Sequence, residues 1–352
     1  MVEVTVCGWD IGGAHLKLVC VDAAGWIVDA RQVACPLWRG TEHLQQAMVE
    51  AFDQSWARDT RHVVTMTGEL CDNFTSRSDG VSKILAVVED VLGAEYTQIY
   101  AGGQGLCTLE RARALDPESI ASANWRAMVE AVALTNSDAI LIDVGSTTTD
   151  IIPIIDGVPA NLGTDDATRM THDELIYSGV VRTSLMSICQ HVPFAGTWQR
   201  VTAEHFANTA DIYRILGVLP ADADLHDTAD GGPKTITASA RRLCRMLGRD
   251  LSEDSDAIRK VAGYVAYCQF DQLQRALLAV QGRVGSRLEK IVAAGAGAFL
   301  VHKLARFNEI PYIEFSSLFE MDPTQQQAIT ACAPAAALAM LGWKSKLPCS
   351  DV

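Results

Sequence analysis

The chain has 352 residues, of which 49% are hydrophobic and 20% are charged, and its formal net charge is −14. This length allows two domains with separate cores, and the acidic balance argues against a nucleic-acid or anionic-membrane surface. Anionic small molecules are not excluded, because glycine turns and helix N-termini can bind phosphate within an acidic protein.

We expect neither a secretory signal nor a membrane span. Residues 1–5 lack a basic region followed by a long apolar stretch, and no uninterrupted apolar run approaches the ~18 residues that a span needs. The ten cysteines form no CxxC or other close pair, which fits a reducing compartment better than a disulfide scaffold. The sequence therefore predicts a cytoplasmic protein without nucleic-acid or membrane partners.

Strand-like and helix-like patterns alternate through the first third of the chain. Short apolar runs that end at glycine predict strands, and apolar residues spaced by three or four predict helices. In chain order, we predict strands at 4–9, 16–21 and 25–30, a helix at 41–57, a strand at 62–67, a turn at 77–80, a helix at 81–92, a strand at 98–101 and a helix at 124–134.

The rest of the chain repeats this order with polar insertions, which in compact domains are often functional. In chain order, we predict a hairpin at 140–155, polar irregular inserts at 161–183 and 222–234, a long helix at 255–281, a strand at 288–292 and a final helix at about 324–342. Pro334 marks either a kink in the final helix or its first turn.

These patterns predict an α/β protein with partly parallel sheets flanked by helices. We place a first lobe at 1–136 and a second lobe, with the polar inserts, at 137–323. Residues 324–352 are predicted to form a C-terminal helix that packs back on the first lobe.

One local pattern occurs twice. Asp10-Ile11-Gly12-Gly13 and Asp143-Val144-Gly145-Ser146 each stand between two apolar runs, which predicts a strand, a tight glycine turn and a second strand, with a carboxylate at the turn. An ordinary hairpin that needs glycine for positive φ is the alternative for either turn alone. Two copies indicate two similar lobes whose turns face one cleft.

The residues of these turns suit a phosphate site. Glycine N–H groups approach phosphate oxygens closely because no Cβ intervenes, and hydroxyls add donors. Asp10 and Asp143 would repel phosphate directly and are better placed to hold Mg²⁺, although turn capping is the alternative for each. The candidate binding residues are Gly12, Gly13, His15, Lys17, Gly145, Ser146, Thr147 and Thr148, with Gly295 and Gly297 in the late glycine turn.

Two Asp-x-Gly hairpins and a late Gly-x-Gly turn resemble the actin, sugar-kinase and heat-shock ATPase superfamily. That resemblance implies two ribonuclease H-like lobes with a central cleft. The strings GWDIGGAHLK at 8–17, TMTGEL at 65–70 and DVGSTTTD at 143–150 resemble its hydantoinase/oxoprolinase branch. HDTADGGPK at 226–234 is similar to short members linked to tetrahydromethanopterin-dependent one-carbon transfer.

The resemblance to these short members implies a transferase of methanofuran or methylofuran biosynthesis. In that reaction an aminomethylfuran-methyl diphosphate condenses with the phenol of a γ-glutamyl-tyramine or tyrosine-type acceptor and releases diphosphate. A general base would favour the phenolate, since a free phenol has a pKa of about 10. The catalytic candidates are Asp10, Asp143, His172 and Glu174, with Asp173 and Glu69 as further candidates for the base.

Two other functions remain open. One is an ATP-dependent hydantoinase/oxoprolinase-like enzyme or a small-molecule kinase, and the other is a non-enzymatic nucleotide-binding scaffold in one-carbon metabolism. The implied ligands are Mg²⁺ and a phosphorylated small-molecule substrate; ATP is a less favoured ligand, because that substrate carries its own diphosphate. The oligomeric state is left open, a homo-oligomer included.

Two charged groups outside the turns have both a ligand-binding and a structural interpretation. Asp227, Asp230 and Lys234 suit a second metal or the diphosphate, or else a polar turn around Gly231-Gly232-Pro233. The helical arginines Arg241, Arg242 and Arg245 suit an anionic group or a solvated helix face.

Overall fold

The computed structural model describes residues 3–52, 56–57, 59–221, 223–251 and 255–345. The chain divides into two compact units. The first comprises Met1–Ser137, Asp156–Pro159 and Glu314–Val352, and the second comprises Asp138–Ile155 and Ala160–Ile313. The boundary predicted between residues 323 and 324 therefore moves to Glu314, because the segment after it already pairs with the first unit: Ile27 N donates to Glu320 O at 2.9 Å.

The predicted strands are present in their predicted order, and the structure adds several short ones, among them a strand in the insert at 161–183 that was predicted to be irregular. In the described part of the chain they are β1 (Val4–Ile11), β2 (His15–Asp22), β3 (Ile27–Ala34), β4 (Arg61–Met66), β5 (Thr97–Tyr100), β6 (Leu106–Thr108), β7 (Ala139–Val144), β8 (Thr149–Ile155), β9 (Val158–Pro159), β10 (Leu175–Ile176), β11 (His191–Phe194), β12 (Thr197–Arg200), β13 (Lys290–Ala294) and β14 (Tyr312–Glu314).

The helices stand mainly between strands of one sheet, as in other α/β proteins. The described helices are α1 (Thr41–Ala51), α2 (Arg77–Leu92), α3 (Leu109–Ala114), α4 (Asn124–Ala133), α5 (Asp166–Thr171), α6 (Thr209–Leu216), α7 (Ile236–Met246), α8 (Ser255–Val284), α9 (Ala298–Phe307), α10 (Gln326–Ala331) and α11 (Ala333–Lys344). None of these described helices is both long and apolar enough to cross a membrane.

The two units repeat one sheet plan. In the first, the strand order is β3-β2-β1-β4-β5-β6, with β1 antiparallel to β2 and parallel to β4. In the second, the order is β10-β8-β7-β13-β14, with β7 antiparallel to β8 and parallel to β13. In each unit, the first strand of a hairpin therefore pairs with its hairpin partner on one side and with a later, parallel strand on the other. This arrangement occurs with β1, β2 and β4 and again with β7, β8 and β13. The predicted α/β class and actin-like, ribonuclease H-like lobes are confirmed.

The prediction of a turn at 77–80 was wrong, because these residues form the first turn of α2. The Ser76 side chain caps the helix by accepting from Asp79 N at 3.1 Å. Gly80 belongs to the helix because α2 passes against the segment after β4, where a Cβ on Gly80 would come within 2.6 Å of Glu69 O. Gly80 is therefore needed for close packing between two elements. Because glycine is more common in turns, the sequence pattern suggested a turn instead.

The predicted helices at 41–57 and 324–342 are also divided differently. Helix α1 ends at Ala51, where Phe52 adopts an extended conformation, and residues 53–55 lie outside the described part of the chain. The final segment forms a 3-10 turn at Pro323–Gln325, then α10 and α11, with Pro334 in the first turn of α11.

Helix α11 positions the first hairpin by packing on β1, β2 and β4. Its alanine-rich face comes so close to β1 that a Cβ on Gly8 would lie 2.0 Å from Ala335 O. Near the end of α11, Gly342 O accepts from Arg61 Nη2 of β4 at 2.8 Å. Small residues on both sides allow this contact, which fixes the strand that carries Asp10.

Candidate functional site

Loop 1, residues 10–15, joins β1 to β2. Gly12 N donates to His15 O at 2.9 Å, which closes the turn. Asp10 stands opposite Lys17 in the strand register, and Lys17 Nζ lies 3.5 Å from Asp10 Oδ2. His15 is buried at the start of β2. Loop 1 therefore combines a glycine turn, a carboxylate and a cation.

Loop 2, residues 143–148, joins β7 to β8 with the same geometry. Gly145 N donates to Thr148 O at 2.8 Å, and Asp143 stands opposite Asp150 in the register. In the described chain, the N–H groups of Ser146 and Thr147 donate to no backbone carbonyl. The sequence repeat is thus a structural repeat, except that the position opposite the carboxylate is a lysine in loop 1 and an aspartate in loop 2.

Asp10 is a buried carboxylate that could serve as a ligand to a cation. Only 3% of the residue is exposed, and burial raises the pKa of its carboxyl group, with Lys17 opposing that shift. Asp10 Oδ1 is buried and accepts no hydrogen bond from any described residue. No cluster of three or more His, Cys, Asp or Glu side chains suited to a metal occurs among the residues that the structure describes. Asp10 consequently fits Mg²⁺ that keeps several water or phosphate ligands, rather than a cation enclosed by protein.

The segment after β4 lies on loop 1. Thr67 N donates to Ile11 O at 2.8 Å, and a Cβ on Gly68 would come within 3.2 Å of the Gly12 carbonyl. The adjacent Glu69 is 1% exposed, and its Oε1 accepts from Ser122 Oγ at 2.7 Å. These contacts bring a buried carboxylate beside the first glycine turn.

The late glycine turn lies against loop 2. Ala294, at the end of β13, stands opposite Asp143 in the parallel register. Gly295 has φ of +82°, and a Cβ there would lie 2.2 Å from Asp143 Oδ1. Gly297 N donates to Val144 O at 2.8 Å. Gly295 is required both by its positive φ and by the closeness of loop 2, whereas Gly297 is required because a Cβ there would lie 2.4 Å from the Val144 side chain.

A second segment supports loop 2, and it lies at the end of the polar insert predicted at 161–183. Ser146 O accepts from Val181 N at 3.1 Å and from Arg182 N at 2.9 Å. A Cβ on Gly179 would come within 2.5 Å of the Ser146 carbonyl. Arg182 is held there by its backbone, and its side chain is exposed. Gly179 was one signal of this contact, but its partner Ser146 is remote along the chain.

The structure gives Glu174 a structural role that its assignment as a catalytic base did not anticipate. Glu174 is fully buried, and its carboxylate accepts from Leu162 N at 2.8 Å, Gly163 N at 2.9 Å and Arg283 Nη2 at 3.1 Å. A fully buried carboxylate that accepts from three donors joins three parts of the second unit and is not open to a substrate. His172 is the half-buried residue that ends α5, and no described contact joins it to loop 2.

The charged residues of the second polar insert, 222–234, mainly form ion pairs with helices; residue 222 itself lies outside the described chain. Arg242 is fully buried and donates to Asp211 Oδ1 at 2.7 Å and to Asp230 Oδ1 at 3.0 Å. Arg245 also pairs with Asp230, at 3.0 Å. Neither interpretation of Arg242 from sequence was correct, since it is neither solvated nor available to a ligand.

His226 of the same insert is half-buried. Burial, followed by the positive charge of Arg182, lowers its pKa to about 4. Lys234 acts in the same direction, whereas Asp224 and Asp227 oppose the shift.

Comparison with known proteins places these features in a family. The hydantoinase/oxoprolinase family model matches residues 61–344. A protein of Methanocaldococcus jannaschii named (4-{4-[2-(gamma-L-glutamylamino)ethyl]phenoxymethyl}furan-2-yl)methanamine synthase is 30% identical over 261 residues, which are 73% of this chain and 76% of that protein. A protein of the same name from Methanococcus vannielii is 32% identical over 192 residues, which are 53% of this chain and 85% of that protein. Both names describe synthases, which supports an enzyme.

A solved structure supports the fold alone. A nucleotide-free acetone carboxylase superposes with a TM-score of 0.56 at 10% identity, covering 96% of this chain and 70% of the carboxylase chain. At this identity the likeness carries no argument about substrate or cofactor.

Proposed function

Because the chain belongs to the hydantoinase/oxoprolinase family, we propose that it is a synthase of methanofuran-type cofactors. It joins a furanylmethyl diphosphate to the phenol of a γ-glutamyl-tyramine or tyrosine-type acceptor and releases diphosphate. The names of the two synthases describe a phenoxymethylfuran that carries a γ-glutamylaminoethyl group. The observation that supports phosphate binding is the turn built twice, with Gly12 N bonded to His15 O and Gly145 N bonded to Thr148 O.

In the proposed reaction, the bond between the furanylmethyl carbon and the diphosphate oxygen breaks. Negative charge grows on the diphosphate, where N–H groups of the glycine turns and hydroxyls of loop 2 stabilise it without reorganising. Lys17 adds positive charge at loop 1, where its Nζ lies 3.5 Å from Asp10 Oδ2. Mg²⁺ held by Asp10 in loop 1, or by the equivalent Asp143 in loop 2, would neutralise further phosphate charge.

The phenol oxygen forms the new ether bond with the same carbon, and the phenol proton passes to a base. We assign this base to Glu69, because it follows Thr67 and Gly68, which contact loop 1, and because its side chain is a buried carboxylate. His172 is the alternative base. Glu69→Gln should lower kcat about 100-fold, the usual size of a general-base effect, and should flatten the acidic limb of the pH profile. His172→Asn should leave both unchanged, and the opposite pattern would transfer the role to His172.

The proposed function is tested by mass analysis of products. The protein is incubated with Mg²⁺, an aminomethylfuran-methyl diphosphate and γ-glutamyl-tyramine, with and without ATP. We expect the aryl-alkyl ether and one diphosphate per ether in both mixtures, with no ATP consumed. A strict requirement for ATP hydrolysis would contradict the proposal and favour an ATP-dependent ligase or kinase.

A further inference from the structure

A separate cavity lies within the second unit. It has a volume of about 330 Å³ and is lined by residues that include Asp173, Tyr177, Ser178, Thr183, Gln272 and Arg275. This volume falls in the range of pockets that enclose small organic ligands. The cavity lies between the short strand β10, the segment that follows it and one face of α8.

The cavity shares a wall with the support of loop 2. Its lining residue Thr183 accepts from Gly179 N at 2.7 Å, and its lining residue Ser178 accepts, through its carbonyl, from Thr149 Oγ1 at 2.6 Å. Gly179, between them, packs against the backbone of Ser146. A ligand in the cavity would therefore lie one layer of backbone away from loop 2.

The charges at the rim are of opposite sign. Asp173 and Arg275 are both exposed, and Ser178 and Gln272 add a hydroxyl and an amide, joined by a hydrogen bond of 3.4 Å. Arg275 pairs with Asp271 one helical turn away at 2.6 Å, but exposed pairs of this kind contribute little and exchange readily. A diphosphate would be repelled by Asp173, whereas a group that carries both an ammonium and a carboxylate matches both charges.

We propose that this cavity binds the α-amino-acid end of the γ-glutamyl acceptor, with Arg275 at its carboxylate and Asp173 at its ammonium. Ser178 and Gln272 complete the polar wall, and the phenol end of the acceptor extends away from the cavity. The inference rests on the proposed function and adds the site that distinguishes a γ-glutamyl-tyramine from free tyramine.

The test compares two acceptors in two variants. Arg275→Gln removes the cation, and Asp173→Asn removes the anion while keeping a residue that tolerates the positive φ of 57° at this position. Losing one charge-assisted hydrogen bond should raise KM for γ-glutamyl-tyramine about tenfold or more, with KM for tyramine unchanged. Lys260→Gln is the matched control, because it removes an exposed cation from the same helix, far from the cavity.

Two results would overturn the inference. One is a KM for γ-glutamyl-tyramine within twofold of the wild-type value in both variants. The other is an effect of Arg275→Gln on KM for the furanylmethyl diphosphate instead, which would make the cavity part of the diphosphate site.

Failure of the proposed function is separable from failure of this inference. If the wild-type protein forms no ether from these substrates, the proposed function fails, and calorimetry with γ-glutamyl-tyramine alone still tests the cavity. The cavity assignment is supported if the wild-type protein binds γ-glutamyl-tyramine and Arg275→Gln weakens this binding at least tenfold. It is rejected if the wild-type protein does not bind γ-glutamyl-tyramine.

Discussion

At the scale of single residues, the two turns use one geometry with different neighbours. Asp10 faces Lys17, whereas Asp143 faces Asp150, which pairs with the buried Arg169. Burial raises the pKa of Asp150, with Arg169 opposing that shift. The equivalent carboxylates therefore lie in different electrostatic surroundings, and Asp10 Oδ1 is a buried oxygen that accepts no hydrogen bond from a described residue.

Asp10→Asn tests the assignment of this oxygen to a cation. The substitution keeps the size of the side chain and removes its charge, so magnesium-dependent ether formation should fall about 100-fold, the scale of losing one preorganised electrostatic contact. Glu95→Gln is the control, because it removes an exposed loop carboxylate from the same unit. Equal rates in Asp10→Asn and wild-type protein at every magnesium concentration would reject the assignment.

His62 gives the first unit a pH-dependent stability. It is 4% exposed and accepts a hydrogen bond from Trp9 Nε1 at 3.1 Å, and burial lowers its pKa to about 4. The unfolded chain binds this proton near pH 6.5, so the neutral histidine stabilises the fold fully above that value. The contribution is lost as pH falls from about 6.5 to about 4, by roughly 3 kcal/mol.

Urea unfolding at pH 7.5 and pH 5 measures this change. His62→Asn, whose amide oxygen can accept from Trp9, should be less stable at pH 7.5 but should lose less stability on acidification than the wild-type protein. An identical pH dependence in both would show that His62 is not the titrating group.

At the scale of elements, several glycines occur where two segments pack too closely for a side chain. Gly295 combines positive φ with a Cβ position 2.2 Å from Asp143 Oδ1. Gly248 has φ of +66°, and its Cβ position has nothing within 4 Å. Alanine substitutions at these two glycines therefore separate the cost of backbone strain alone from the added cost of a collision between the segment after β13 and loop 2.

Gly248→Ala should cost about 1–2 kcal/mol of unfolding free energy, the strain of one left-handed residue, and should leave activity unchanged. Gly295→Ala should cost more and should abolish ether formation, because the added methyl group displaces Asp143. Urea titration and product assay measure both effects. Equal losses of stability with activity retained in both variants would exclude the collision.

At the scale of the whole molecule, each unit has its own buried core. Met48 and Trp9 belong to the core of the first unit, and Ile142 and Leu300 to that of the second. Separate cores allow separate unfolding transitions, and chains of this size often depart from two-state behaviour.

Tryptophan fluorescence can follow one unit alone. Trp198, which is 64% exposed, lies in the second unit, and the remaining six of the seven tryptophans lie in the first. In a Trp198→Phe background, Ile142→Ala should lower the stability of the second unit by about 2–5 kcal/mol. Circular dichroism should then show an early transition that fluorescence does not follow. Coincident curves from both probes would mean that the units unfold together.

The sequence by itself determined the features that depend on neighbours along the chain. The glycine turns, the carboxylate before each and the repeated hairpin are local patterns, because strand alternation and glycine φ are set by a few adjacent residues. The same patterns sufficed for the α/β class and the two similar lobes.

Only the tertiary structure decided which remote segments reach those turns. Arg182 N meets Ser146 O, and Gly295 meets Asp143, through packing between elements far apart in sequence. Folding likewise brings Leu162, Gly163 and Arg283 to Glu174, so that this candidate base is a buried carboxylate with three donors. The sequence gives the chemical type of each side chain, but the hydrogen-bond partners of that side chain and its access to a ligand depend on the segments that folding brings together.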